Sequence, residues 1–451
     1  MVNRIKIIHL LLVVFLTAIP LFAEEPEADN PFKLGFSIGI GTATFTEEGD
    51  LTQTTYQKLS LSPDIAYGKL GIGLDVTFNY TFTGPPPSGD EFYLREEDWV
   101  PTGDDSILDV YLPKFRYIRW GHKGDPLYIK LGSIDDATLG NGFIMGNYAN
   151  TLFLPEKRIF GLTFDLDGAL FNFPLVGMET FMANLAQYDV IGIRPFVRPL
   201  IYTEIPVLSN LQLGATLVVD TKPDLYTHIA DPETIAVYGG DFILPLISKP
   251  LFTLATFGDV ASLHGESLGS MVGFGGRLIK FLTYGAQLRF LGENFVPTYF
   301  DASYDLFRAE KFDIAKGAAG VPAFTGWLAS LGTTFFDDTL VFRASLDAPF
   351  SKPDPDNTDN YLNYPHLYAT FLIAEGLVPQ LSFDASYDKR LIRNFEDLVD
   401  PEDAVIRART NYHVGGAVIS FIYNIRYVPD PLPGEDEWEV TSGLEAGIQI
   451  Y

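Results

Sequence analysis

The sequence predicts an all-β chain, a transmembrane antiparallel up-and-down β-barrel of about 16–20 strands with short periplasmic turns and long external loops. Three observations predict it. In residues 70–83, Leu70, Ile72, Leu74, Val76, Phe78, Tyr80 and Phe82 alternate with Gly71, Gly73, Asp75, Thr77, Asn79, Thr81 and Thr83. Side chains alternate across a strand with period two, so one face is apolar and the other polar or glycine. A strand that crosses a bilayer needs about 9–11 tilted residues with lipid on one side and water on the other. The second observation is that connections are sorted by length. Tight ones near 172–177, 206–210, 245–250, 279–281, 336–339 and 375–379 alternate with long ones near 84–106, 134–156, 221–233, 259–267, 292–323, 349–361 and 389–404. A meander whose two ends face different compartments sorts its loops in this way. The third is the amino terminus. Arg4 and Lys6 precede an apolar run, and Ala23 stands before an acidic stretch, the pattern of a signal peptide over residues 1–23.

The elements follow in order. Residues 24–32 form a leader too short for a plug domain. The barrel spans 33–451, beginning where Leu34, Phe36, Ile38 and Ile40 oppose Gly35, Ser37, Gly39 and Gly41. Residues 57–66 return as a strand, 67–69 turn, and 107–119 read as the strand after the first long loop. The segments 282–290, 340–347 and 381–388 keep the period, whereas 177–185 and 190–203 interrupt it and leave their faces unassigned. The overlong segment 410–428 holds Gly415 and Gly416. Read as a hairpin, it brings about nineteen strand candidates to twenty, and discounting one weak candidate instead gives eighteen, either being the even number such barrels favour.

Composition agrees. Aromatic residues make up 14% of the 451, glycines number 41, and there is no cysteine. The fold therefore uses no disulfide, and an acylated amino-terminal cysteine is excluded. With 58 Asp+Glu against 31 Lys+Arg, the chain repels nucleic acid.

Charged residues fall on the face assigned to the lumen: Lys58, Asp64, Asp75, Asp165, Asp167, Asp220, Asp241, Arg277, Arg289, Arg343, Asp347, Asp384 and Asp388. Charges facing lipid at mid-depth cost several kcal/mol, so a barrel enclosing water places them inside. Two readings are open. Acidic and basic sets on opposite walls would set a field across a pore; paired, solvated residues would have no selective role. Segment 134–156 follows a strand and mixes Asp135, Asp136, Asn141 and Asn147 with Phe143, Ile144 and Met145. It is expected either to fold inward as a constriction or to cover the barrel mouth. Acidic residues crowd 90–105 and 396–403, where divalent cations are one reading and solvated charge the other. Asp354, Asp356 and Asp359 lack the glycine and glutamate of a calcium loop. No two histidines have metal-ligand spacing, and neither a nucleophile elbow nor a P-loop is present.

The terminal stretch, with Leu444, Ala446, Ile448 and Ile450 against Glu445, Gly447 and Gln449, ends on Tyr451. It resembles the last strand of outer-membrane β-barrels, which ends on an aromatic residue. Tyr451, however, shares the phase of Glu445 and Gln449. Across the whole mature chain the architecture resembles the porin-like barrels of diderm bacteria, and 134–156 is similar in length and place to their inward-folded early loop. The resemblance implies a location in outer-membrane lipid, contact of the Tyr451 strand with the barrel-assembly machinery, and passive diffusion of small hydrophilic solutes without a cofactor. It admits a homo-oligomer. The alternatives are a barrel for hydrophobic solutes, which requires a plug and an apolar pocket, and a surface adhesin that displays its long loops.

Overall fold

The computed structural model describes residues 32–46, 53–82, 92–101, 106–154, 158–336, 339–352, 364–398, 400, 403–414, 417–427 and 438–450. The expected signal peptide, most of the leader, the aspartate-rich segment at 354–359 and Tyr451 lie outside them.

Twenty-two strands form one antiparallel sheet. Leu70–Leu74 and Val76–Thr81 both pair with Gln53–Tyr67, so they are one stave broken at Asp75. The two-residue Tyr93–Leu94 pairs only with Val76–Thr81. Joining the halves and setting that short strand aside leaves twenty staves among the described residues. The last, Trp438–Ile450, pairs back with the first, Phe36 standing opposite Ile450 and Gly41 opposite Glu445. An even count is what lets an up-and-down ladder meet its own start antiparallel.

The expected hairpin in 410–428 is present, Ala404–Val414 running into Ala417–Tyr427 with Val414 opposite Ala417. The two interrupted segments form Val176–Met182 and Val190–Val197. Their inward sets include Glu179, Phe181 and Arg194, while Met178, Thr180 and Ile193 point outward. Three expectations are corrected. The long connection near 259–267 is only the turn 264–266 between Phe252–Leu263 and Ser267–Leu278, and the tight one near 206–210 runs over 198–211 between Val190–Val197 and Gln212–Asp220. Residues 107–111 are helical and the strand is only Phe115–Trp120. Ser106 accepts from the backbone of Asp109, whose carboxylate accepts in return from the Ser106 backbone. This capping box satisfies two orphan donors and starts a helix where apolar alternation suggested a strand.

Outward side chains are apolar and exposed along the strands, as at Leu217, Val260, Phe274, Leu288 and Leu331. Exposed aromatic side chains gather at the short turns, including Tyr67, Trp120, Phe171, Phe281 and Phe336, and others recur at the opposite ends, including Tyr188, Tyr238 and Phe290. Phe281 and Phe290 bound Leu282–Leu291. At about 3.4 Å per residue and a tilt near 40°, they stand roughly 23 Å apart along the barrel axis, close to the ~25 Å apolar band of an outer-membrane barrel.

The buried apolar core lies inside the ring. It combines Ile134, Phe143, Met145 and Tyr148 from one connection with Phe295, Tyr299, Phe300 and Tyr304 from another. Both pack on the inward faces of the seventh to thirteenth staves, from Phe181 to Leu291.

Candidate functional site

Gly132 ends its strand at φ +117°, where an added Cβ would meet the Arg116 carbonyl at 2.4 Å. Only glycine makes that turn, and it sends the following chain inward. Buried Asn150 then acts as a staple: its Oδ1 accepts from Ile134 N at 2.7 Å, and its Nδ2 donates to the carbonyls of Ala183 at 3.0 Å and Gly132 at 3.3 Å. Ala137 and Tyr148 pair as an antiparallel bridge, so the segment between them is a hairpin pointing across the lumen.

Its tip rests on a polar platform. Arg194 makes a two-point contact with Asp241, at 2.8 and 2.5 Å, and reaches Glu179 at 3.3 Å. The backbone of Gly140 donates to Glu179 at 3.0 Å, and Asn141 donates to Asp259 at 2.8 Å. Farther along, Asn424 donates to the Leu154 carbonyl at 3.0 Å. The hairpin leaves the fifth stave, Asp259 lies on the eleventh and Asn424 on the nineteenth. In a ring of twenty the connection therefore reaches six staves in either direction, which places it across the lumen.

The second connection, 292–323, locks onto the first. Phe143 stacks on Phe295 with ring centroids 5.4 Å apart, and Met145 bridges Phe300. A wholly buried Arg308 anchors it, touching Asp189 at 2.6 Å, Asp305 at 2.7 Å and Asp220 at 3.0 Å. Tyr304 donates to Asp220 at 2.6 Å and Tyr148 to Asp305 at 3.0 Å. Burial pushes Asp305 up to about 6, against the pull of Arg308, and Glu310 up to about 7. Carboxyls raised in the docked form favour docking while protonated. Their contribution is complete below the ordinary range near 4 and is lost as pH rises through about 7. Protection of 292–323 against hydrogen exchange, relative to the intrinsic rate at each pH, is therefore expected to fall between about pH 5 and pH 8, and Glu310→Gln to flatten that fall.

The lumen residues expected from sequence are mostly paired. Arg116 and Tyr117 hold Asp64, and Arg158 holds Asp75 at 2.5 Å. Lys123 meets Asp165 at 2.8 Å, Arg198 meets Asp167 at 2.6 Å, and Arg289 meets Asp347 at 3.2 Å. Asp388 accepts from Ser303 at 2.5 Å. Asp384 stands opposite Arg409 in register, and Lys58 opposite Asn79. Arg277 and Arg343 are exposed toward the short-turn end. Pairing between neighbouring strands and with inward-folded connections sets most of these charges in place.

In the expected constriction segment, Asn141 and Phe143 anchor the hairpin, while Asp135, Asp136 and Asn147 remain exposed. Sequence reasoning missed Arg194, Arg308, His366, Arg407 and Arg409. The alternation of 404–414 carries the signal for Arg407 and Arg409; Arg308 sits in a connection without a strand pattern. Among the described residues no group of three or more His, Asp or Glu is placed to hold a metal ion.

No family model matches the chain, and no curated protein matches it. Solved structures do align with it. OccAB4 of Acinetobacter baumannii is 10% identical over 94% of this chain and 100% of its own, with a TM-score of 0.33. The outer-membrane protein OprD of Pseudomonas aeruginosa is 10% identical over 93% of this chain and 94% of its own, with a TM-score of 0.32. The outer-membrane protein Wzi of Escherichia coli is 12% identical over 92% of this chain and 84% of its own, with a TM-score of 0.38.

Proposed function

We propose that the chain is an outer-membrane channel of the porin type through which small hydrophilic solutes diffuse passively. The observation that carries this reading is the polar, water-accessible inner wall beside the inward connections. Their apolar core lies on the seventh to thirteenth staves and their polar contacts reach Asp388 and Asn424, while the inner wall keeps exposed Arg343 and Arg409. Asp135, with 70% of its side chain exposed, and Asp136 lie on the 133–160 connection and face water. The apolar exterior between two aromatic belts supports placement in the outer membrane. The terminal strand serves assembly in the same reading.

The rival reading as a hydrophobic-solute barrel has the inward segments it requires, but in the pocket they leave Arg289, Asp301, Asp347, His366, Asp388 and Arg390 share the lining with apolar Leu291, Val296, Phe324 and Trp327. A row of charges through the pocket favours water-soluble cargo. Planar-bilayer recording of the folded chain tests the channel directly, and a folded protein that passes no current overturns it. In the same recordings, Asp135→Asn with Asp136→Asn is expected to shift ion preference toward anions by about two- to fivefold, from the loss of two exposed carboxylates, one of them 3.8 Å from Lys130, on the inward connection.

A further inference from the structure

The pocket between the 292–323 connection and the luminal wall is bordered by an unbroken alternation of charge. Arg289 Nη1 lies 3.2 Å from Asp347, whose other oxygen lies 3.2 Å from His366 Nδ1. His366 Nε2 lies 2.7 Å from Asp388, which is 3.8 Å from Arg390 Nε. Arg390 Nη2 meets Asp301 at 3.0 Å, and Lys311 stands behind Asp301 at 2.8 Å. Both ring nitrogens of His366 face carboxylate oxygens, so both carry protons and the ring is a cation.

The three cations and three anions that reach the pocket sum to zero. Tyr368 shares the pocket wall, its strand position opposite Ser345. We infer that this pocket is a binding subsite for a neutral polyhydroxylated solute, a sugar, and it names the solute class for the channel proposed above. A hydroxyl both donates and accepts, so it satisfies a carboxylate and a neighbouring guanidinium or imidazolium together. A ligand carboxylate placed anywhere along this row meets an aspartate within one step, and a ligand ammonium meets an arginine or the imidazolium. Like charges brought together in this way are strongly penalised. The row is also ordered before any ligand arrives, since each charge fixes its neighbours, and that lowers the entropy cost of binding. The tyrosine supplies an aromatic face for the C–H side of a sugar ring.

The test uses the full chain folded in detergent and three probes on one ring skeleton: glucose, glucuronate and glucosamine. Titration calorimetry at pH 7 is expected to show saturable glucose binding, with glucuronate and glucosamine at least about tenfold weaker. Asp347→Asn keeps the side-chain shape and leaves the pocket one charge positive, so glucuronate is expected to overtake glucose in that variant. Wild-type protein that binds no glucose, or that binds either charged probe as tightly, overturns the inference. So does an Asp347→Asn protein, folded by its heat-modifiable gel mobility, in which all three probes weaken equally. Bilayer current in salt alone reports the channel separately: a conducting protein without glucose binding removes only the subsite, and a glucose-binding protein without current removes only the channel.

Discussion

Arg308→Met is expected to release the 292–323 connection from the wall while leaving the barrel itself assembled. The guanidinium is wholly buried and faces three carboxylates, Asp189, Asp220 and Asp305, that are themselves buried. Removing one partner of a buried ion pair costs about 3–5 kcal/mol, because the remaining charge stays in low dielectric without compensation. Here the loss leaves three buried carboxyls that either repel one another or must take up protons. Asp189 and Asp220 belong to the wall, and Asp305 to the connection, so repulsion acts along the direction of undocking. Limited proteolysis is expected to cut within 292–323 in the variant and spare it in the wild type, and single-channel conductance is expected to rise. Lysine at this position keeps one charge but loses the planar fork that reaches three partners, so Arg308→Lys should fall between. Adding Asp189→Asn and Asp220→Asn to Arg308→Met should restore part of the protection, since these sites share one network. Unchanged conductance and unchanged protease resistance in Arg308→Met would show that packing of Phe295, Tyr299 and Phe300 alone seats the connection.

The barrel was legible because a strand with one apolar and one polar face imposes a rule on every second residue. Residues 70–83 obey it without exception, and their pairing with Gln53–Tyr67 follows the expected phase, broken only at Asp75. There the backbone donates to the Lys114 carbonyl while the carboxylate takes Arg158, so the residue expected to line the lumen also ties three segments together. Local chemistry explains the misreading at 107–111, where a serine and an aspartate three residues apart outweigh apolar alternation. What the sequence could not display was the filling of the lumen. Arg194 and Asp241 are 47 positions apart, and Arg308 and Asp189 are 119 apart. Arg194 and Asp241 meet across the single stave between them, and Arg308 meets Asp189 only because 292–323 folds inward. The apolar residues of 134–156 and 292–323 did advertise burial, but period-two reasoning has no term for a core inside a ring.

Phe274→Arg separates a membrane barrel from a water-soluble one by the sign of its effect. Phe274 is 51% exposed on the outer face of Ser267–Leu278 and stands opposite Ala286, midway between the belt residues Phe281 and Phe290. If lipid covers that face, arginine there sits near the bilayer midplane and destabilises the folded state by about 2–4 kcal/mol. If water covers it, replacing an exposed aromatic side chain by arginine is close to neutral, within about 0.5 kcal/mol. Ser330 provides the matched control: it faces the lumen at the adjacent depth, opposite Gly285, and Ser330→Arg should stay within about 1 kcal/mol because water already reaches that wall. Equilibrium urea unfolding from lipid vesicles measures both variants against the wild type. A Phe274→Arg protein as stable as Ser330→Arg would show that the apolar exterior does not meet lipid, and the outer-membrane reading would fall with it, whatever the lumen contains.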